Sequence, residues 1–270
     1  MNIDWQRAAA SGRSQWRCAC PVCQKSARDD AVSVDCVNLR AMCHRCESVF
    51  FPDDQNIKPV PACDDSERIE RSRWLVEKTL NESRPIRRDD AVYRYLTCRL
   101  GCELDHLPAV KCHSGLRLYA DDCFTVHPAM VVPFISPTGE VVGVHRTWIT
   151  PQGRVKRWKG INGITAGSAL RLFKATDTLS VTEGIETALA VHKVNCEPVW
   201  ALGSSAMLTK FVPPPGVKRL TICGDNDEVG AAAAWRLYNR LKEQLDCSVA
   251  IPEKQNADWL DDLRSDNNVG

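Results

Sequence analysis

Four cysteines near the N-terminus have the spacing of ligands for one metal ion. Cys20-Pro21-Val22-Cys23 and Cys43-His44-Arg45-Cys46 are two CxxC pairs with 19 residues between them. Each pair can direct two thiolates at one ion, and together they complete a tetrahedral site. We therefore predict one structural Zn²⁺ per chain, in a zinc ribbon whose hairpin is formed by the intervening residues. Cys18, Cys36 and His44 are close enough in sequence to replace one of the four ligands.

Acidic residues follow two predicted strands of the C-terminal third. Glu183 comes directly after one strand, and Asp225-Asn226-Asp227 follows a later one. Functional groups gather at the carboxyl ends of parallel strands, so Glu183, Asp225 and Asp227 are expected to converge. Carboxylates in one crevice repel one another unless divalent cations neutralise them, which predicts a catalytic Mg²⁺ or Mn²⁺ site. Asp258 and Asp261 are further candidate ligands. Taken singly, these acids could instead cap helices or lie on a solvated helix.

A basic segment precedes the acidic region. Seven basic residues and a single acid lie between Glu140 and Ala175, with Trp148 and Trp158 among them. Lysine and arginine contact phosphates, and aromatic faces stack on unpaired bases. The segment is therefore predicted to bind nucleic acid or nucleotide phosphates through Arg146, Lys156, Arg157 and Lys159. The alternative is a solvated strand face with both tryptophans in the core.

Composition bounds the class of protein. The chain has 270 residues, of which 44% are hydrophobic and 26% charged, a balance that excludes disorder, collagen and coiled coil. This length suggests two domains. No apolar run approaches the ~18 residues of a membrane span, and the first residues lack the pattern of a secretory signal. We therefore expect a cytoplasmic protein with no membrane partner, whose cysteines are free or metal-bound.

The charge is unevenly distributed along the chain. The net charge is +1, but residues 65–176 contain 18 basic and 12 acidic residues, and residues 177–270 contain 9 and 14. Residues 1–64 are balanced, with 8 of each. A basic middle beside an acidic end suits a polyanion held near carboxylate-bound cations.

Hydrophobic periodicity indicates which elements position these residues. Helices are predicted from Ser66 to about Leu80 and from Asp89 onward, and two strands joined by a turn at Pro137-Thr138-Gly139 follow. After Asp177, strands and helices alternate, which favours a parallel sheet. The predicted fold class is α/β, with a small N-terminal zinc ribbon, a mixed α+β connecting subdomain and a C-terminal domain around a parallel sheet. The predicted boundaries are 1–51 for the ribbon, 52–65 for a linker, 66–176 for the basic subdomain and 177–270 for the C-terminal domain.

The C-terminal motifs resemble the Toprim domain, whose hallmarks are Glu-Gly after one strand and Asp-x-Asp after another. Here these are Glu183-Gly184 and Asp225-Asn226-Asp227. The run from Thr182 to Ala190 resembles the primase-like Toprim proteins of phages, plasmids and integrated elements. Pro128-Ala129-Met130-Val131-Val132-Pro133 and the later His145-Arg146-Thr147 do so too. That subgroup often ends in Asp-Trp-Asn-Asp, from which Asp258-Trp259-Leu260-Asp261 departs at Leu260.

A zinc ribbon, a basic subdomain and a Toprim domain are together the layout of bacterial and phage primases. The resemblance implies a DNA primase that synthesises short RNA primers on single-stranded DNA from nucleoside triphosphates. It implies two Mg²⁺ ions on Glu183, Asp225 and Asp227, with the basic residues neutralising phosphate. The sequence has no Gly-rich loop ending in Gly-Lys-Ser/Thr, so the expected helicase partner is a separate protein. A Toprim nuclease and a non-catalytic single-stranded-DNA-binding replication or transfer factor are the alternatives.

Overall fold

The ribbon region and the remainder of the chain fold as two units, Met1–Glu67 and Arg68–Gly270, in a computed structural model. The structure describes residues 3–12, 15–23, 30–46, 48–53, 57–59, 65–104, 107, 109–120, 123–164, 166–255 and 257–267. Residues 54–56 and 60–64 of the predicted linker lie outside the described residues.

The N-terminal unit is built on a small antiparallel sheet. It contains α1 (Trp5–Ala10) and four strands in sequential order: β1 (Gln15–Cys18), β2 (Val32–Asp35), β3 (Arg40–Cys43) and β4 (Val49–Phe50). Val32 and Val34 are fully buried, and their strand neighbours are more exposed, as expected for a strand with one core face. The β2–β3 hairpin is the one predicted between the two CxxC pairs.

A second antiparallel sheet belongs to the larger unit. Its strands are β5 (Arg84–Pro85), β6 (Lys111–Ala120), β7 (Cys123–Ile135), β8 (Val141–Thr150) and β9 (Gly153–Gly160). Two helices precede β6 in the chain, α2 (Ser66–Asn81) and α3 (Ala91–Leu100). The five strands are hydrogen-bonded in sequential order. The predicted turn joins β7 to β8, and Gly139 adopts a φ of +95° there, which a residue with a side chain rarely adopts. The charged sequence of β9 did not indicate a strand.

The predicted parallel sheet forms the C-terminal part of the same unit. Its strands are β10 (Leu170–Arg171), β11 (Thr178–Thr182), β12 (Val199–Ala201), β13 (Arg219–Cys223) and β14 (Asp246–Ala250). They lie in the order β10-β12-β11-β13-β14, and all pairings are parallel except that of β10 with β12. Its helices are α4 (Ile185–Asn195), α5 (Ser205–Thr209), α6 (Glu228–Leu241) and α7 (Trp259–Asn267). The predicted α/β fold class is confirmed.

Two apolar cores lie on opposite faces of the parallel sheet. One joins Leu96 of α3, Met130 and Val132 of β7 and Leu189 of α4. It therefore ties the antiparallel sheet to the parallel one. The other packs α6, through Ala234, Leu237 and their neighbours, against the central strands. Within the described part of the chain, no helix is long and apolar enough to cross a membrane.

Candidate functional site

The four cysteines of the CxxC pairs converge in the N-terminal unit. Their sulfur atoms all lie within 4.8 Å of one another, and the Sγ–Sγ distance is 3.6 Å for both Cys20–Cys46 and Cys23–Cys43. Tetrahedral Zn–S bonds of about 2.3 Å place sulfurs about 3.8 Å apart. The cluster is thus compatible with the predicted structural zinc.

Neighbouring groups are arranged to stabilise thiolates. The backbone N–H groups of Val22 and Cys23 donate to Cys20 Sγ at 3.4 and 3.5 Å, and that of Arg45 donates to Cys43 Sγ at 3.4 Å. The guanidinium of Arg45 also lies 3.7 Å from Cys23 Sγ. Hydrogen-bond donors and one positive charge therefore surround the sulfur ligands, as the outer shell of a metal site requires.

The three alternative ligands lie outside this cluster. The buried Cys36 thiol is directed at the Ala8 carbonyl, 3.7 Å away. His44 Nε2 lies 2.6 Å from Ser33 Oγ. Cys18, at the end of β1, is not among the converging sulfur atoms of the described residues.

The predicted carboxylates meet at the carboxyl end of the parallel sheet. Glu183 follows β11 and Asp225 follows the adjacent β13. The backbone N–H of Gly203 donates to the Glu183 carbonyl at 2.8 Å and fixes that loop. Asp227 lies at the N-terminus of α6, where its Oδ1 accepts the Gly230 N–H at 2.6 Å. Helix capping, the alternative role considered for Asp227, is therefore present, and it leaves Oδ2 for another partner.

Burial and mutual repulsion shift the titration of these acids. Burial raises the pKa of Asp225 to about 7, with further contributions from four acids: Glu183, Asp258, Asp227 and Asp261. Burial also raises the pKa of Glu183, as does the charge of Asp227. Asp225 Oδ1 is buried without a hydrogen-bond partner among the described residues. A bound divalent cation would satisfy this oxygen and relieve the repulsion, so the residues present fit Mg²⁺ or Mn²⁺.

The two additional candidates, Asp258 and Asp261, lie at the start of α7. Asp258 Oδ1 accepts the N–H groups of Leu260 and Asp261 at 2.9 and 3.0 Å. The side-chain amide of Asn226 donates to the carbonyls of Pro252, at 2.8 Å, and of two further residues of the preceding loop. Asn226 thus holds this loop beside its own neighbour Asp225. Asp258 lines the same cavity as Asp225, whereas Asp261 is exposed.

The cavity at this edge has a volume of about 230 Å³ and is lined by side chains of both charges. Its acids are Glu183, Glu186, Asp225 and Asp258, and its cationic side chains are Arg99, Arg154 and Lys156. In the described residues, these carboxylates do not form a cluster as tight as that of the cysteines. An acidic zone adjoins a cationic one, which suits a metal-bound polyphosphate.

The basic residues predicted as one binding segment lie on two faces of the antiparallel sheet. Side chains alternate along β9, so Arg154 and Lys156 share one face, and Arg157 and Lys159 share the other. The first face lines the cavity. Arg146 is directly opposite Arg157 and therefore lies on the second face.

On the second face, the cations are close enough to influence one another. Burial lowers the pKa of Arg146 to about 10, helped by Arg157, so the guanidinium remains charged near pH 7. Burial likewise lowers the pKa of Lys159, as do Arg146, Arg68 and Arg71. These residues define a second basic surface, formed by β8, β9 and α2.

The two tryptophans of the segment differ in exposure. Trp148 is buried, and its indole N–H donates to the Leu116 carbonyl at 3.2 Å. Trp158 is 49% exposed and packs edge-on against Phe134. Only Trp158 therefore presents a ring to solvent, and the core alternative is correct for Trp148.

Sequence reasoning missed four residues around the cavity: Tyr95, Arg99, Arg154 and Glu186. Glu186 lies within the motif run that begins at Thr182, and Arg154 is one of the seven basic residues counted above. Side-chain alternation along a strand at β9 would have placed Arg154 on the same face as Lys156. No sequence signal connects Tyr95 or Arg99 with Glu183 and Glu186, which lie more than 80 residues away in the chain.

Family comparisons agree with the motifs. The model of the Toprim domain matches residues 178–268, so the resemblance carried by Glu183-Gly184 and Asp225-Asn226-Asp227 is confirmed. A domain of unknown function, DUF7146, matches residues 70–172. Residues 178–268 thus match the Toprim domain, in a chain that has an N-terminal cluster of four cysteines. No curated protein sequence matches the chain.

Solved structures that the chain matches include phage and bacterial primases. The primase fragment of the bacteriophage T7 primase-helicase protein is 14% identical, with a TM-score of 0.45, and the match covers 94% of this chain and 97% of that one. The zinc-binding and RNA polymerase domains of the Aquifex aeolicus primase are 12% identical, with a TM-score of 0.41 and coverages of 97% and 80%.

Proposed function

We propose that this chain is a DNA primase of a phage or mobile element. It would synthesise short RNA primers on single-stranded DNA by metal-dependent nucleotidyl transfer, in the cytoplasm and beside a separate replicative helicase. The observation that carries the proposal is the convergence of Glu183, Asp225 and Asp258 in one cavity with three cationic side chains, at the carboxyl end of adjacent parallel strands. Burial and the neighbouring acids raise the pKa of Asp225 to about 7 there. Such perturbed carboxylates mark functional sites.

The acidic and the basic residues of the cavity would have different roles. Glu183, Asp225 and Asp227 would hold Mg²⁺ or Mn²⁺, and Asp258 would complete the acidic side of the cavity. Held by these residues, divalent ions would supply Lewis-acid activation of the 3′-hydroxyl and neutralisation of the departing pyrophosphate. Lys156 and Arg154 face the same cavity and would bind the polyphosphate of the incoming nucleotide.

The template would bind elsewhere on the larger unit. Arg146, Arg157 and Lys159 form a basic surface on the other face of the antiparallel sheet. Contacts of this kind neutralise phosphates without reading sequence. The zinc ribbon would contribute the choice of start site.

Primer synthesis tests the proposal directly. The purified chain is incubated with single-stranded DNA of varied sequence, labelled nucleotides and Mg²⁺ or Mn²⁺, and the products are sized, with ribonucleotides and deoxyribonucleotides in separate reactions. Asp225→Asn should reduce synthesis by orders of magnitude, because each ~1.4 kcal/mol of lost transition-state stabilisation is tenfold in rate. Template binding should persist in this variant.

The control is Asp177→Asn, which changes an exposed acid just before the opposite end of β11 and should synthesise normally. Cleavage of the template by the parent protein but not by Asp225→Asn would instead indicate a Toprim nuclease. Binding without synthesis or cleavage would indicate a non-catalytic replication or transfer factor.

A further inference from the structure

Glu186 is a buried carboxylate with three partners from two other elements. Its side chain is 5% exposed and lies in the first turn of α4. Lys156 Nζ lies 2.5 Å from Oε2, and Arg154 Nε lies 3.5 Å from Oε1. The Tyr95 hydroxyl, on α3, donates to Oε1 at 2.5 Å.

The exposures of the three charged side chains differ in a way that indicates their roles. Lys156 and Arg154 are 38% and 36% exposed, whereas Glu186 is almost inaccessible. A ligand entering the cavity therefore meets much more of the two cations than of the carboxylate that pairs with them. Glu186 pairs with Lys156 Nζ and Arg154 Nε and so fixes the two head groups, while their other N–H groups remain available for a ligand.

The hydrogen bond from Tyr95 orients the Glu186 carboxylate. A buried charge is tolerated when it is paired and hydrogen-bonded. Burial would raise the pKa of Glu186, but Lys156, Tyr95 and Arg154 outweigh it, and the pKa is lowered. The group is thus an anion near neutral pH, and its geometry is set by contacts from α3 and β9.

The ligand that fits the two cations is anionic and borders the acidic zone of the cavity. Glu183, Asp225 and Asp258 line the same cavity of about 230 Å³. A polyphosphate bound as its divalent-metal complex places negative oxygens toward Lys156 and Arg154 and the metal toward the carboxylates.

We propose that Glu186, held by Tyr95, is a positioning residue that preorganises Lys156 and Arg154 for the polyphosphate of a nucleoside triphosphate. It is not a metal ligand, although it lies only three residues after Glu183. The inference rests on the proposed function and names the residues that prepare its nucleotide site. Preorganised cations bind without the entropic cost of ordering two long side chains.

Steady-state kinetics of primer synthesis with Glu186→Gln tests this role. The variant preserves side-chain volume and removes the charge, so Lys156 and Arg154 lose their common counterion. We expect the KM for nucleotide to rise at least tenfold, and kcat to change less. Tyr95→Phe should raise KM by a smaller factor, about threefold, because the ion pairs remain.

Two matched variants control for nonspecific effects. Tyr93→Phe removes a hydroxyl from the same helix that has no hydrogen-bond partner among the described residues. Glu103→Gln breaks an exposed ion pair with Arg88, in which both side chains are more than 70% exposed. Both should leave KM unchanged.

A double-mutant cycle shows whether Glu186 acts through Lys156. Lys156→Met should raise KM by itself, and adding Glu186→Gln should then have less effect than it has in the parent protein. Fully additive effects would overturn the proposal. So would a loss of kcat at unchanged KM in Glu186→Gln, because that result indicates a role in the chemical step.

Calorimetric titration of the full chain with inorganic tripolyphosphate, in excess Mg²⁺, gives a readout independent of synthesis. Glu186→Gln should weaken this binding about tenfold and leave the Mg²⁺ affinity unchanged. Weaker Mg²⁺ binding would instead identify Glu186 as a metal ligand. If the parent protein binds tripolyphosphate through this network but makes no primers, the proposed function fails and the positioning role remains. If primers form but Glu186→Gln has normal KM and tripolyphosphate affinity, the positioning role fails alone.

Discussion

Asp225 is a partly buried acid whose environment differs clearly from that of a surface acid. Its Oδ1 is buried without a hydrogen-bond partner in the described residues, and its pKa is raised to about 7, first by burial and then by neighbouring acids. In the absence of a cation, this arrangement opposes folding at alkaline pH. Electrostatic repulsion between Asp225 and the neighbouring acids thus destabilises the site, and a bound divalent ion would relieve it.

The pH dependence of stability follows from the sign of this shift. Stability contributed by a carboxyl with a raised pKa is fully present below its unfolded value, near 3.8, and is lost as the pH rises through about 7. Asp225→Asn should therefore stabilise the protein at pH 8 without added divalent cation. A pKa raised from 3.8 to about 7 corresponds to about 4 kcal/mol, which solvent screening of this partly exposed carboxyl reduces to on the order of 2 kcal/mol. At pH 4 the variant should gain little.

Urea denaturation at pH 4 and pH 8 measures this difference. Added Mg²⁺ should stabilise the parent protein at pH 8 more than it stabilises Asp225→Asn. The exposed acid changed in Asp177→Asn provides the reference. Equal stability of the parent protein and Asp225→Asn at both pH values would show that Asp225 is not repelled by its neighbours.

At the scale of elements, β9 divides the basic segment between two tasks. Lys156 faces the cavity and Glu186, and Arg157 and Lys159 face the other side of the sheet. One strand can serve both a nucleotide site and a template surface because successive side chains alternate. The Arg157 guanidinium also donates to the Tyr119 carbonyl at 2.9 Å, which orients it on that surface.

Substitutions on the two faces should therefore separate two kinds of binding. Arg157→Ala and Lys159→Ala should weaken single-stranded DNA binding and reduce the slope of log affinity against log salt by ~0.7 per lost phosphate contact. The KM for nucleotide should change little. Lys156→Met should have the opposite profile.

Fluorescence titrations at several salt concentrations, together with nucleotide kinetics, distinguish the outcomes. If all three variants alter the salt slope equally, the template crosses both faces. If none does, the surface of Arg157 and Lys159 is merely solvated, which is the alternative that the sequence left open.

At the scale of the whole molecule, the two units have different sources of stability. The larger unit has two apolar cores, and the N-terminal unit has a small one that includes Cys20 and Cys43 themselves. So small a core usually needs an additional source of stability, such as a structural metal, to keep its unit folded. Zinc would then be part of the folding free energy of the N-terminal unit alone.

Cys43→Ser should consequently remove zinc and the unfolding transition of the N-terminal unit. Calorimetry should still show the transition of the larger unit, with its stabilisation by Mg²⁺ intact. Cys98→Ser, at an exposed cysteine of α3, is the control and should retain one zinc per chain. Elemental analysis gives the metal content, and a shifted transition of the larger unit in Cys43→Ser would show that zinc does not stabilise the N-terminal unit alone.

Local patterns in the sequence determined the ribbon, the Toprim motifs and the parallel sheet. The two CxxC pairs could be predicted as metal ligands because the spacing within each pair directs both thiolates at one ion. Glu183 and Asp225 were predicted to converge because adjacent parallel strands end at one edge of a sheet. The domain boundaries and the roles of the individual site residues stay predictions.

Only the tertiary structure decided how the charges are paired. Tyr95 and Glu186 are 91 residues apart in the chain. Lys156 belongs to the antiparallel sheet, whereas Glu186 lies on α4, which follows a strand of the parallel sheet. The sequence grouped Lys156 with Arg157 because they are neighbours in the chain, and alternation along β9 separated them. Side-chain pairing depends on which faces pack together, and that is set by long-range burial of apolar surface, which local spacing does not encode.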